Sequence, residues 1–298
     1  GDWLSSVKVN NKGSTFVRYK ISCDKYILPK FGKMNIGSIT TAFAEEYFLS
    51  LISEKGLSPL TVRSVLSVMK RILVYADKHG GIINCNLNAV TIKNAETDFY
   101  VFTKEEQRIM ADDILKAPDL RKLGILLCLY TGLRIGELCA LKWADIDLAK
   151  KELSVSKTMQ RIRNIEGDSD KKTEVIISSP KSRSSVRIVP LTSFLSEILE
   201  KYRKDDEAYL LTGAAEYFVE PRNMQTYYCG FLKRLGVTET NFHSLRHTFA
   251  TNCIEAGFEI KTLSEILGHS SVNITLNRYV HSSMEMKRTN MDKLKLEI

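Results

Sequence analysis

Residues 243–281 read HSLRHTFATNCIEAGFEIKTLSEILGHSSVNITLNRYVH. Four of the chain's five histidines (His243, His247, His269 and His281) fall inside this stretch. His243 and Arg246 are three residues apart and share a face if the segment is helical. Gly268-His269 then breaks one helix, and Tyr279 lies on the short segment that follows. Imidazoles, a guanidinium and a phenol gathered in this way suit a phosphate ester better than a metal or a carbonyl. His243 and His247, four apart, could form a zinc pair as in H-E-x-x-H. Ser244 stands where that motif requires Glu, and zinc needs three or four placed ligands. The expectation is a site with no metal and no other cofactor.

The composition agrees with such a site. The 298 residues carry a net charge of +8 with pI near 9.0, which favours a polyanionic partner. The length allows two domains, and a hydrophobic content of 44% is enough for a real core in each. The six cysteines (Cys23, Cys85, Cys128, Cys139, Cys229 and Cys253) show no C-x-x-C pair, so they read as reduced core residues of a cytoplasmic protein. No signal peptide is visible. LGILLCLYTGL, 123–133, is too short to span a bilayer, so it reads as a buried helix and no membrane partner is expected. The chain begins Gly-Asp-Trp with no initiator Met, and a preceding domain is expected.

Working outward, residues 1 to about 13 are polar and read as a loose lead-in. From Ser14 to about Ala89 the apolar spacing is helical. One helix runs through FVRYKISCDKYILPKF and is ended by Pro29 and Gly32. A second starts after Thr40 or Thr41 and stops at Gly56. A third follows Ser58 with Pro59 at its first position and closes at Gly80-Gly81. Residues 1–98 hold thirteen Lys and Arg against eight Asp and Glu, so the basic excess is denser here than in the remainder. Arg63, Lys70, Arg71 and Lys78 lie along the third helix. They are either candidates for DNA contact or a solvated face.

Residues about 91–102 read as an extended linker. Thr103 and Glu106 fit a capping box. The next helix starts at Pro118 or Asp119 and breaks at Thr131-Gly132, and another begins near Arg134. After Trp143 the period changes from 3.6 to 2. Glu152–Arg163 reads as one strand. Val175–Ser178 and Ser185–Val189 read as a hairpin with Lys181 and Arg183 at its turn. Helices return from Ser193. The last residues form an amphipathic tail, available to its own domain or to a neighbouring protomer.

Cutting a phosphodiester without metal requires an in-line oxygen nucleophile, cations for the charge on the non-bridging oxygens, and a proton for the leaving oxygen. Planar, permanently charged guanidinium groups suit the second task. TGLRIGELCALKW, SSPKSRSSVRIVPL, HSLRHTFATN and LGHSSVNITLNRYVH supply such a set. These four motifs, in order over about half the chain, resemble those of the tyrosine recombinases of the phage and conjugative-transposon integrase family. The helical segment before them resembles that family's core-DNA-binding domain.

The resemblance implies roles residue by residue. Tyr279 is the nucleophile that forms a 3′-phosphotyrosyl link. Arg134 and Arg246 clamp the non-bridging oxygens. Lys181 is general acid toward the 5′-oxygen. His243 assists proton transfer at the tyrosine. His269 hydrogen-bonds the phosphate, and Glu137 supports the site structurally. Arg183 is a further candidate for DNA contact. His247 is expected to be structural, and His281 has no assigned role.

The implied fold is mainly α in two domains, a small all-α core-DNA-binding bundle and an α+β catalytic domain with a short antiparallel sheet. The expected boundaries are 1–96 (the bundle within 14–90) and 97–298, with a C-terminal tail from 282. The implied partners are double-stranded DNA recombination sites held in a two-domain clamp, a homotetramer on two paired sites, and an accessory DNA-bending or excision factor. The polar insert between SVSKTMQRIRN and PKSRSSVRIVPL leans toward integrases of mobile elements. The alternatives are a Xer-type dimer resolvase, a type IB topoisomerase-like enzyme and a binding-only DNA protein.

Overall fold

The computed structural model of the chain describes residues 1–93, 99–164, 172–180 and 183–279, together with residues 288 and 291. The chain divides into two compact units, Gly1–Asp98 with Ile162–Glu174, and Phe99–Arg161 with Val175–Ile298.

The first unit opens with a helix, α1 (Asp2–Asn10), where the polar composition predicts a loose lead-in. The apolar positions explain the difference. Val7 is buried, Trp3 and Leu4 pack beside it, and Trp3 stacks on Tyr19 at 5.6 Å. A three-to-four residue spacing suffices to dock even a mostly polar helix. Next come α2 (Gly13–Ser22), a single π turn (Cys23–Ile27) and α3 (Leu28–Phe31). Pro29 does not end this run. The widened turn ahead of it accommodates the proline ring and its missing N–H, and the Tyr47 hydroxyl donates to the Tyr26 carbonyl inside that turn. The helix stops at Gly32 instead.

α4 (Thr41–Ser53) is capped by the Thr40 side chain, and α5 (Pro59–Lys78) by that of Ser58. α5 buries Val62, Val65, Leu66, Val68, Met69 and Leu73 on the core shared with Phe31, Phe48 and Leu51.

The second unit is mainly helical around one core. α6 (Lys104–Lys116) begins at the expected capping box of Thr103 and Glu106. α7 (Leu120–Thr131), capped by Asp119, is buried on nearly every side and forms the centre of the unit. It ends at Gly132 in the left-handed conformation, φ +65°. A Cβ there would lie 2.6 Å from the Phe249 ring, so close approach also demands glycine. α8 (Ile135–Ala140) follows at once.

The alternating run 152–163 is two strands, not one. β1 (Ile146–Asp147) and β2 (Glu152–Val155) precede β3 (Thr158–Arg163), and β4 (Thr173–Ser178) and β5 (Arg187–Pro190) come later. β4 and β5 do not form the expected hairpin. The sheets have the orders β1-β2-β5 and β3-β4, with β1-β2 and β2-β5 antiparallel. Alternation sets which face of a strand is buried but not which strand lies beside it. Leu153 and Val155 are buried, and Leu153 faces the buried Val189 across the β2–β5 ladder.

α9 (Ser193–Lys201), α10 (Pro221–Leu235), α11 (His243–Glu255), α12 (Ile260–Leu267) and α13 (Val272–Tyr279) complete the unit. α11 packs along α7 and touches α12 and α13. Among the described residues no helix is long and apolar enough to cross a membrane. The six cysteines carry free thiols, four of them buried. Burial pushes the thiols of Cys139 and Cys253 up to about 12.

Candidate active site

Two helix ends and the start of a third make the frame of the site. Gly132 closes α7 and Gly268 closes α12, each left-handed at φ +65°. α11 brings His243, Arg246 and His247 onto one face through its i, i+3, i+4 spacing.

Arg246 is 1% exposed. Its Nη1 donates to the Gly132 carbonyl at 2.8 Å and its Nη2 to the Leu267 carbonyl at 2.7 Å. Both acceptors lie at helix C-termini, where unpaired carbonyls carry partial negative charge. Burial first, then the neighbouring Arg134, pull its pKa down to about 9. It is a cation at neutral pH, and among the described residues no carboxylate is paired with it.

Arg134 is the residue just before α8. Its backbone N–H donates to Glu137 at 3.0 Å, its Nη1 donates to Glu137 Oε1 at 2.7 Å, and its Nη2 donates to the Gly268 carbonyl at 3.3 Å. Glu137, 3% exposed, also takes two hydrogen bonds from Arg187, at 3.1 and 3.0 Å. Burial alone would raise the Glu137 carboxyl. The Arg187 hydrogen bonds and the charges of Arg187 and Arg134 outweigh it and hold the carboxyl below its ordinary 4.5. Glu137 thus holds Arg134, and it anchors a second arginine as well.

Tyr279, on the last turn of α13, is 6% exposed. Its hydroxyl lies 2.9 Å from His247 Nδ1. His247 meets the His243 ring edge-on at 4.6 Å, so the imidazole at the phenol is His247 rather than His243. Burial raises the phenol pKa, with Arg246 and Arg278 opposing. His269 Nδ1 is 2.8 Å from the hydroxyl of Thr275, which is fully buried. Burial, then surrounding arginines, pull His269 down to about 3 and His243 to about 4. Burial, then His243, take His247 to about 3. All three are neutral at pH 7.

Arg134, Glu137, His243, Arg246, His269 and Tyr279 are therefore brought together. Lys181, the Arg183 side chain and His281 lie outside the described residues, as does nearly all of the tail from 282. Arg63, Lys70, Arg71 and Lys78 belong to the first unit. Arg63, Arg71 and Lys78 are exposed and Lys70 half-buried, on the solvent face of α5. Lys70, Arg71 and Lys78 line a groove of about 490 Å³ with Trp3, Tyr19 and Tyr75.

Three features escaped the sequence reading. Arg187 sits two residues before the buried Val189, so period 2 places it on the inward face of β5. Thr275 is four residues before Tyr279 and shares its helix face. His247 has the same relation to His243, but nothing in the spacing identifies its partner.

Residues 100–286 match the phage integrase family, and residues 2–52 match the phage integrase N-terminal SAM-like domain. The chain is 31% identical to the tyrosine recombinase XerC-like of Caldanaerobacter subterraneus subsp. tengcongensis, over 98% of this chain and 80% of that protein. It is 27% identical to the transposase from transposon Tn916 of Enterococcus faecalis, over 89% of this chain and 70% of that protein. The fold is that of the Tn1549 transposon integrase, with a TM-score of 0.78 at 24% identity over 98% of this chain and 97% of that one. With its family match covering most of the second unit and the first unit matched at its start, the chain belongs to the phage integrase family. It is a tyrosine site-specific recombinase, an enzyme that breaks and rejoins DNA.

Proposed function

We propose that the chain is the integrase of a mobile element, carrying out conservative strand exchange through Tyr279. The observation that supports this is that Arg134 and Arg246 are anchored at the two helix ends at Gly132 and Gly268, with Tyr279, His243 and His269 within reach of their charges. Tyr279 attacks the scissile phosphorus, forming the 3′-phosphotyrosyl bond as the bond to the 5′-oxygen breaks. Arg134 and Arg246 hold the non-bridging oxygens, where charge grows in the transition state. Neutral His269 donates a hydrogen bond to the same phosphate. Lys181 protonates the 5′-oxygen. His243, on the same helix face as Arg246, assists proton transfer at the tyrosine. The phosphotyrosyl bond conserves the energy of the broken phosphodiester, so rejoining needs no nucleotide.

The first unit is the core-DNA-binding domain and the second the catalytic domain. Arg63, Lys70, Arg71, Lys78 and Arg183 contact phosphates, so affinity falls steeply with salt. The similar Tn1549 integrase was solved in complex with transposon right end DNA. Four protomers act on two paired sites in the cytoplasm, with an accessory DNA-bending or excision factor. The tail from 282 passes to a neighbour. A groove of about 450 Å³ lined by Leu129, Tyr130, Val189, Phe249 and Phe258 supports an apolar contact between protomers.

Covalent trapping tests the chemistry. Nicked duplexes from the ends of the encoding element are incubated with protein in EDTA and resolved on a denaturing gel. A labelled protein–DNA band that disappears in Tyr279→Phe is expected; tight binding without a band would overturn the reading. The XerC-like relative at 31% identity favours a second reading, a dimer resolvase. Recombination between two copies of one chromosomal site, in place of element ends, would establish it.

A further inference from the structure

The tyrosine that attacks DNA must present one oxygen lone pair to phosphorus, and its ring must be held while it does so. In this chain the phenol is gripped on two sides. His247 Nδ1 lies 2.9 Å from its hydroxyl. Phe99 packs against both partners, 4.6 Å from the His247 ring and edge-on to Tyr279 at 5.6 Å. Phe249 and Ile254 pack on the buried cluster that includes Tyr279.

The direction of the hydrogen bond follows from the surroundings. Arg278 lies beside the phenol oxygen and can only donate to it. The hydroxyl proton is then directed away from Arg278, toward His247. Nδ1 accepts it, the imidazole proton sits on Nε2, and the second lone pair of the oxygen is left for the electrophile. His247 is neutral under working conditions because burial and the adjoining His243, Arg278 and Arg246 disfavour imidazolium.

We infer that His247 and Phe99 are positioning residues for the Tyr279 nucleophile, His247 orienting the hydroxyl through Nδ1 and Phe99 fixing the two rings against each other. The inference rests on Tyr279 being the nucleophile. It goes beyond that reading by assigning work to two residues outside the transition-state clamp. Phe99 is also the first residue of the second unit, so the seat of the nucleophile begins where the chain enters that unit.

The test measures single-turnover adduct formation on a nicked suicide duplex, with DNA affinity and the thermal midpoint measured alongside. The full chain is used with Tyr279→Phe, His247→Ala, His247→Asn and Phe99→Leu. A displacement of about 1 Å at a reacting group costs on the order of 100-fold in rate. His247→Ala is expected to lose on the order of 100-fold in cleavage with unchanged DNA affinity. His247→Asn is expected to recover most of the rate, because its amide oxygen can accept the phenol proton near the Nδ1 position. Phe99→Leu is expected to slow cleavage without weakening binding. Native cleavage by His247→Ala overturns the inference. So does a loss shared equally by His247→Ala and His247→Asn and matched by a fall in thermal midpoint, which makes His247 a packing residue only. An adduct that persists in Tyr279→Phe overturns the assignment of the nucleophile instead, and the two failures are distinct.

Discussion

Arg187 and Glu137 meet through two parallel hydrogen bonds, with both side chains less than a tenth exposed. Arg187 Nε also donates to the Ile266 carbonyl at 2.5 Å. This buried pair ties β5 to the start of α8 and to the end of α12. Because Glu137 also holds Arg134, the position of Arg134 depends on a strand far from it in sequence.

Glu137→Gln leaves two guanidinium groups facing a neutral amide. Breaking a buried ion pair in this way costs about 3–5 kcal/mol. The expected outcome is a fall of that size in unfolding free energy by urea denaturation, with trapped adduct lost in the fraction that stays folded. The Glu137 carboxyl is held below its ordinary 4.5, so its contribution is fully present above that pH and is lost as the pH falls through the lower folded value.

The histidines give a second pH dependence. His243, His247 and His269 are held at about 4, 3 and 3, below the ordinary 6.5. Between these values the unfolded chain binds more protons than the folded one, so stability rises with pH. The stabilisation is present above pH 6.5 and is lost as the pH falls toward 4. Urea midpoints at pH 7 and pH 5 are expected to show the drop, and His269→Asn is expected to reduce it.

Thr275 is expected to matter for catalysis through its hydroxyl alone. A donor at Nδ1 leaves the His269 proton on Nε2, free to serve the phosphate. Thr275→Val keeps the volume and removes a buried hydrogen bond worth about 1 kcal/mol, so cleavage should fall roughly five- to tenfold. Thr275→Ser should restore it. Equal rates for the two variants in the suicide-substrate assay would remove Thr275 from the mechanism.

Gly268→Ala probes the frame. Its φ of +65° strains any residue with a Cβ, by about 1–2 kcal/mol. The added Cβ would stand 3.0 Å from Arg187 Cδ and from the Ser184 carbonyl. The expected result is a lower thermal midpoint together with slower cleavage, since the same turn supplies the carbonyl held by Arg134.

Local chemistry made most of the architecture legible. Ser58, Thr103, Asp119 and Gly132 each punctuate a helix, and the structure starts or stops one at each. The residues of the site were legible because the motifs around Arg134, Arg246 and Tyr279 are dense in rare combinations of side chains. What was not legible depends on tertiary neighbours. α1 looks polar until Trp3 finds Tyr19. Pro29 looks like a stop until the π turn makes room for it. β5 could have paired with β4 by alternation alone, and only the buried face of β2 decides otherwise. The partner of His247 lies 32 residues further along, beyond the reach of any local pattern.

Arg246 carries a last consequence. Carbonyls at two helix ends solvate its guanidinium, but among the described residues no carboxylate pairs with it inside the protein. Folding without DNA therefore includes the cost of a desolvated cation, and in the role proposed for Arg246 a bound phosphate removes that cost only in the folded state. That role links the proposed substrate to folding thermodynamically at this one side chain. Occupancy of the site should register as a raised melting temperature that grows with DNA concentration, and the part contributed by Arg246 should survive ionic strengths that erase contacts made by surface lysines.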